Sequence, residues 1–408
     1  NPVLRMMGLP NLPKKLPSRN WMIFWGILGS FSAAIIYDKR EKKRATARWS
    51  HAVSHLGKET LKDPRQLPRK LTIYLESPPG DGLRVAQDHY SEFIKPILAA
   101  SGLDWEFVQG RQQGDVRAAV AEKIRRNRRE TEEPAASVKD PQELTSDEII
   151  HIMRKNQGTP EWTGTRGDIV VGRHAWKEYI RGLHEGWLGP LTEPPRPTPE
   201  VVKMEAPATP DGESAEGEKE EIPKPEEKPS RPPQPVPYNT TNDYPTSSIP
   251  MLIPAEFSPS TPIPFPHVLG FLNTPTRLYR FLNRRKLADQ IGREVAAVCL
   301  EASREYRDGP ASTDSDSQSE FQTALEHEEK DWVKTVWKEE VLEEGEVAPL
   351  VPKEKIWAKP IVVDPRIAMR MRRFEIRPED EARAREVKVP EEEVEGWIKA
   401  SLRSMWRW

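Results

Sequence analysis

Cysteine is almost missing from this sequence: Cys299 is the only one among 408 residues. A lone thiol closes no internal disulfide and cannot build a paired-cysteine zinc site. Charge of one sign is lacking too, since 62 Lys+Arg against 64 Asp+Glu leave a net −2. A nucleic-acid-binding domain carries a basic excess, so no nucleic-acid partner is expected. Hydrophobic residues are scarce at 36%, while proline is abundant at 41 residues. That balance permits a packed core but leaves a sizeable part of the chain outside it. Long apolar runs are missing, with one exception.

The exception is Trp21–Tyr37, WMIFWGILGSFSAAIIY, seventeen residues without a charge. At about 1.5 Å per residue it meets the short end of what a hydrocarbon core requires. Trp21, Trp25 and Tyr37 lie toward its ends, where amphipathic rings prefer the headgroup level. A cleaved signal peptide has an apolar region of this length. Here Ser32-Ala33-Ala34 is followed by more apolar residues and then a dense charged block, which favours a retained, single-pass anchor. Gly26, Ser30 and Ala34 recur every four residues and form one small-residue ridge. Lipid provides no hydrophobic drive for helix pairing, so such a ridge suits close approach of a partner helix.

Beyond the anchor, a basic juxtamembrane helix is expected over 38–69, after an N-terminal segment 1–20. From Lys70 the pattern becomes that of an α/β domain, 70–189. Leu71–Leu75, Trp105–Val108 and Asp168–Gly172 read as strands; a stretch from Leu83 ending at Gly102, Gly114–Arg129, Ser146–Lys155 and Ala175–Leu188 read as helices. Strands alternating with helices imply a parallel sheet covered by helices. Pro96 should kink or shorten the first of these helices. From 190 to 237, fourteen of 48 residues are proline and most others are Glu, Lys, Thr and Ser, the composition of an extended or disordered linker. A second, α+β part is expected over 249–408, with a Ser/Asp-rich break at 308–319. In it, Thr274-Pro275 should open one helix reaching about Tyr306, with Leu278, Phe281/Leu282, Ala288, Ile291, Val295 and Val298 on its apolar side. Ile361–Val363 and Ile367–Ile376 look like strands, and Val394–Trp406 like a final amphipathic helix. Whether this part packs on the first sheet is not legible from pattern.

Candidate chemistry is sparse. Pro78-Pro79-Gly80-Asp81-Gly82 follows a strand and precedes a helix, where helix-terminal N–H groups can hold an anion. It is neither a Walker A loop nor a GxGxxG loop. The opening resembles that of diacylglycerol-kinase-like lipid kinases in Ser77-Pro78, Gly80, Gly82 and Arg84. Where that family has its Gly-Gly-Asp-Gly-Thr turn, this chain reads Gly172-Arg173-His174-Ala175-Trp176, without the carboxylate. The resemblance therefore implies a degenerate kinase-like scaffold, because phosphoryl transfer depends on positioned metal and phosphate contacts. His51 and His55 are four apart but lack a completing ligand, and Cys299 lies in an apolar stripe and reads as packed. No catalytic residue, cofactor or metal is expected. The basic face carrying Arg277, Arg280, Arg284 and Arg285, and the terminal Trp406 and Trp408, are candidates for contact with anionic lipids or a partner.

Several longer strings resemble one family. They are Asn1-Pro-Val-Leu-Arg-Met-Met-Gly-Leu-Pro10, Leu16–Phe24, Pro68–Tyr74, Pro78–Arg84, Lys95–Leu98, Gly114–Arg117, Leu269–Pro275 and Leu287–Val295. They look like the Tim54 family, the large subunits of the fungal mitochondrial inner-membrane carrier translocase (TIM22 complex). The resemblance implies a non-enzymatic subunit, anchored in the inner membrane with its large domain in the intermembrane space. Channel-forming and other membrane subunits would be its partners. There it would be a docking platform for the small Tim chaperone hexamers that deliver multispanning carrier proteins. The family is also linked to assembly of an inner-membrane AAA protease. The alternatives are a lipid-kinase-like enzyme or a lipid-binding or protease-assembly factor. Charge bias points the other way on topology. Four Lys/Arg precede the span and six follow it within twenty residues, although long domains respond poorly to that rule.

Overall fold

The computed structural model describes residues 18–60, 66–132, 146–159, 162, 164, 166–194, 234–307, 319–337, 354–396 and 403. The segment 1–17, most of the linker 190–237, nearly all of the 308–319 break, and Trp406 and Trp408 lie outside them.

The apolar run and the charged block after it form one helix, α1 (Arg19–Val53, 35 residues). Neither Gly nor Pro interrupts 30–53, and Glu, Lys, Arg and Ala are strong helix formers, so nothing stops the helix at the end of the apolar stretch. The juxtamembrane helix expected to 69 therefore ends at Val53, followed by a short 3-10 turn at Leu56–Lys58. The two ends of α1 differ sharply. None of its apolar window is buried against the chain, whereas Asp38, Trp49 and Val53 are buried.

After α1 come β1 (Lys70–Glu76), the three-part helix α2 (Leu83–His89, a π turn Tyr90–Ile94, then Lys95–Ser101), β2 (Asp104–Gly110), α3 (Asp115–Glu132), α4 (Ser146–Asn156), β3 (Gly167–Val171) and α5 (Arg173–Leu188). Pro96 enters at the first turn of the last part of α2, and the π turn before it absorbs the missing hydrogen bond. The chain continues with β4 (Ser260–Ile263), α6 (Thr274–Phe281), α7 (Arg284–Cys299), β5 (Ser303–Glu305), β6 (Arg372–Phe374), α8 (Pro378–Glu386) and α9 (Glu391–Val394), with short helical turns at 320–337 and 365–368.

All six strands join one sheet, in the order β2-β1-β3-β4-β6-β5. The neighbours are parallel except for β5 and β6. The region after 249 thus adds its strands directly to the first sheet, with β4 beside β3 in the register Ile169↔Thr261. One face, carrying Leu71, Ile73, Leu75, Ile169, Val171, Ile263 and Phe374, is covered by the far end of α1, α2 and α7. The opposite face, with Tyr74 and Val170, is covered by α3 and α5. α3 and α5 approach closely because position 182 is glycine: a Cβ there would stand 2.5 Å from the Arg117 carbonyl oxygen.

Two expectations about the later part change. The single helix from Thr274 is two, α6 and α7, broken at Leu282–Asn283. Leu278 and Phe281, placed on the same apolar side as Ile291 and Val295, are exposed. Ile361–Val363 forms no strand, and only Arg372–Phe374 of the second apolar run is a strand. Its start is instead a helical turn, Pro365–Ala368, because Asp364 caps it by accepting from the Arg366 N–H at 2.8 Å.

Candidate functional site

The carboxyl ends of parallel strands are where open α/β sheets hold ligands, with helix N-termini facing an anion. In this chain that edge is formed by Glu76 at the end of β1, the Pro78–Gly82 loop, Gly110 at the end of β2, and Gly172 after β3. The sequence suggested that an acid had been lost here. The structure instead gathers three. Glu178 sits at the N-terminus of α3 and accepts from the N–H of Gly114 (2.7 Å), the N–H of Arg117 (3.3 Å) and Trp357 Nε1 (3.0 Å). Glu328 does the same for α5, accepting from the N–H groups of Arg173 (3.2 Å) and Phe265 (2.7 Å). The chain's own carboxylates therefore fill the positions that a phosphate would take.

Burial, followed by the neighbouring Glu178 charge, pushes the pKa of the fully buried Glu76 well above its ordinary value, which favours its protonated form. This accounts for Glu76 oxygens that lack any conventional donor. Burial likewise pushes Glu328 up to about 8 against the pull of its two N–H donors.

Tryptophans cover this edge. His174 lies 5.3 Å from the Trp357 ring and 6.2 Å from Trp332, and Trp332 in turn lies 5.3 Å from Trp337. Desolvation lowers the His174 pKa to about 4, leaving it neutral. Arg173 pairs with Glu329 at 2.5 Å, and Lys177 donates to the Trp357 carbonyl at 2.7 Å and pairs with Glu329 at 2.8 Å. Trp176 is fully buried and donates to the Phe321 carbonyl at 2.9 Å. Residues 321–337 and Trp357 are thus strapped across the crevice. A cavity of about 460 Å³ remains between the strap and the Pro78–Gly82 loop, lined in part by Gly80, Gln113, Leu269, Val336 and Trp357. The kinase resemblance gains no support from this geometry. Among the described residues no cluster of His, Cys, Asp or Glu is arranged to hold a metal. His51 pairs with Glu393 at 2.8 Å and His55 meets the Ala52 carbonyl at 2.9 Å. Cys299 is buried, its thiol pushed up to about 11 by desolvation.

The second candidate region is the junction of α1 with the body. Asp38, the first residue after Tyr37, accepts from the N–H of Arg284 (3.1 Å), the N–H of Arg285 (3.3 Å) and Arg285 Nη1 (3.1 Å). It is the N-terminal cap of α7, supplied from 246 residues away. Three turns further along α1, Trp49 donates to Asp289 at 2.8 Å and lies over Gly292 of α7. Lys42 pairs with Glu92 of α2, and Arg48 with Asp289.

Of the four arginines singled out from sequence, Arg284 and Arg285 are committed to this joint. Arg285 stacks over Tyr37 at 5.3 Å, Arg284 reaches Glu92 at 3.3 Å and Arg280 reaches Asp331 at 2.7 Å; Arg277 is exposed. Trp21 and Tyr37 stand exposed at the two ends of the apolar stretch. Ser30 Oγ donates to the Gly26 carbonyl at 2.8 Å, and a Cβ on Gly26 would meet nothing within 4 Å. Gly26 and Ser30 of the ridge therefore stand open, and Ala34 is half-buried. Sequence reasoning missed Asp38; its only signal was an acidic residue opening a mostly basic block.

Comparison with known proteins gives one consistent family. The family model for the inner membrane protein import complex subunit Tim54 matches residues 1–374. The mitochondrial import inner membrane translocase subunit tim54 of Neurospora crassa is 57% identical, covering 100% of this chain and 88% of its own length. Its counterpart from Aspergillus oryzae is 44% identical over 93% of this chain and 89% of its own. That of Saccharomyces cerevisiae is 27% identical over 93% and 95%. With a family match over residues 1–374 and relatives matched over nearly the whole chain, this chain belongs to the Tim54 family of inner-membrane import complex subunits.

Proposed function

We propose that this chain is a non-enzymatic, membrane-anchored subunit of the mitochondrial inner-membrane import machinery, acting as a docking platform. The observation that carries the reading is the joint itself. α1 runs from the apolar stretch into the body without a break and caps α7 through Asp38. A body fixed this way is held at one distance and orientation from the membrane, which suits positioning partners. The occupied crevice supports the same reading, since Glu178 and Glu328 hold the helix ends that a nucleotide phosphate would need. The lipid-kinase alternative is not favoured.

The finer assignment follows the family. The body lies in the intermembrane space, the Gly26-Ser30-Ala34 ridge meets a helix of the channel-forming or another membrane subunit, and small Tim chaperone hexamers dock on the body. Affinity purification of the full chain from mitochondria tests this. Co-purification of a channel subunit together with small Tim chaperones is expected, and a complex lacking both would overturn it. Protease added to mitoplasts should remove the body; full protection would place it in the matrix instead.

A further inference from the structure

The helix α6 meets the body through polar groups: Arg280 pairs with Asp331 at 2.7 Å, and Asn273, the residue just before the helix, donates to the Asp331 carbonyl at 3.4 Å. Its outward side, with the turn before it, carries Phe271, Leu272, Leu278, Tyr279 and Phe281, all exposed. Phe271 and Leu272 are 89% and 91% exposed, values that a packed core segment does not show. Clustered apolar exposure of this kind marks an interaction surface.

Its position selects the occupant. Phe281 is three residues before Arg284, whose N–H is held by Asp38 at 3.1 Å, and Asp38 directly follows Tyr37, the last residue of the apolar stretch. The carboxyl end of α6 and the point where α1 leaves the hydrocarbon are therefore one place. Arg285 over the Tyr37 ring fixes the same spot from the other side. A short amphipathic helix at headgroup level, with aromatic and aliphatic residues outward and the exposed Arg277 among them, has the chemistry of an interfacial segment. We infer that Phe271–Phe281 is a second membrane contact, a foot whose apolar side chains enter the lipid interface beside α1. The foot rests on α1 being a span and is independent of which proteins dock on the body. It assigns the lipid contact to these apolar side chains, since Arg280, Arg284 and Arg285 are used within the chain.

The test uses the full chain reconstituted in vesicles of phosphatidylcholine and anionic phosphatidylglycerol. Leu272→Cys, Tyr279→Cys and, as a control, Met251→Cys (99% exposed) are labelled with an environment-sensitive fluorophore. The buried Cys299 does not compete. Several-fold weaker iodide quenching at 272 and 279 than at 251, with quenching by nitroxide lipids labelled near the headgroup, is the expected result. Iodide quenching equal at all three sites, without lipid quenching, overturns the foot. Protection that appears only when other membrane subunits are added also overturns it, assigning the surface to a protein.

Discussion

Removing the carboxylate of Asp38 should loosen the body from its mast. In Asp38→Ala, the first turn of α7 loses a cap on two N–H groups and a charge-assisted bond from Arg285, at a site only 4% exposed. Loss of an N-cap costs about 0.5–2 kcal/mol, and hydrogen bonds to a charged group contribute about 1.5–3 kcal/mol. Because the two terms overlap, a loss of about 2–4 kcal/mol is expected. At about 1.4 kcal/mol per factor of ten, local opening would become roughly 30- to 700-fold more frequent. Hydrogen exchange on the full chain in nanodiscs reads this directly at the amides of Arg284, Arg285 and the next turn. Asp38→Asn keeps one acceptor oxygen and should fall between wild type and Ala. Exchange of the α7 amides unchanged in Asp38→Ala would refute the joint, because a flexible link would then connect span and body.

The same joint is probed from its other end by Gly292→Ala. The new methyl would lie 2.2 Å from Trp49 Cδ1, and that indole is 3% exposed and tied to Asp289. An overpacking cost of about 1–3 kcal/mol should exceed the gain of about 1 kcal/mol from replacing a helical glycine, so thermal stability in detergent should fall; an unchanged or higher midpoint contradicts the packing. His184 gives a pH test. Nδ1–H donates to the Ile180 carbonyl at 2.7 Å while Nε2 accepts from the Asp364 N–H at 3.0 Å, and burial lowers its pKa to about 4. A depressed pKa means that protonation favours the unfolded chain, so the stability of wild type over His184→Gln should be constant above about pH 6.5 and then shrink toward pH 4, by up to about 1.4 kcal/mol per pH unit. A difference that does not vary across that window would remove the neutral, doubly bonded ring. Ser30→Leu should reduce recovery of the membrane complex while leaving the body's melting unchanged, and full recovery would retire the ridge as a packing surface.

Periodicity made the first half of the fold legible. Leu71, Ile73 and Leu75 alternate onto one face of β1, and the helices after β1, β2 and β3 stand where 3.6-residue spacing put them. What stayed hidden was long-range capping. Asp38, Glu178 and Glu328 each close a helix N-terminus far away in sequence, and no local pattern distinguishes such an acid from a solvated one. Apolar runs misled wherever strong local signals competed with them. Asp364-Pro365 starts a helical turn inside a strand-like stretch. The break at Leu282–Asn283 turns Leu278 and Phe281 away from the core that Ile291 and Val295 share. That outward stripe looks like core in sequence because a lipid interface and a protein interior select the same side chains. The candidate site followed the same division: the arginines were legible as a cluster, but their pairing with Asp38, Glu92 and Asp331 was not.

The most direct measurement is a map of the intact membrane assembly purified with magnesium and ATP. The expected map shows α1 unbroken from the bilayer into the body, Glu178 and Glu328 on the ends of α3 and α5, Trp332 and Trp357 over the crevice, and neighbouring subunits against the outer surfaces. Ordered nucleotide beside Gly80, with those carboxylates displaced, would contradict it.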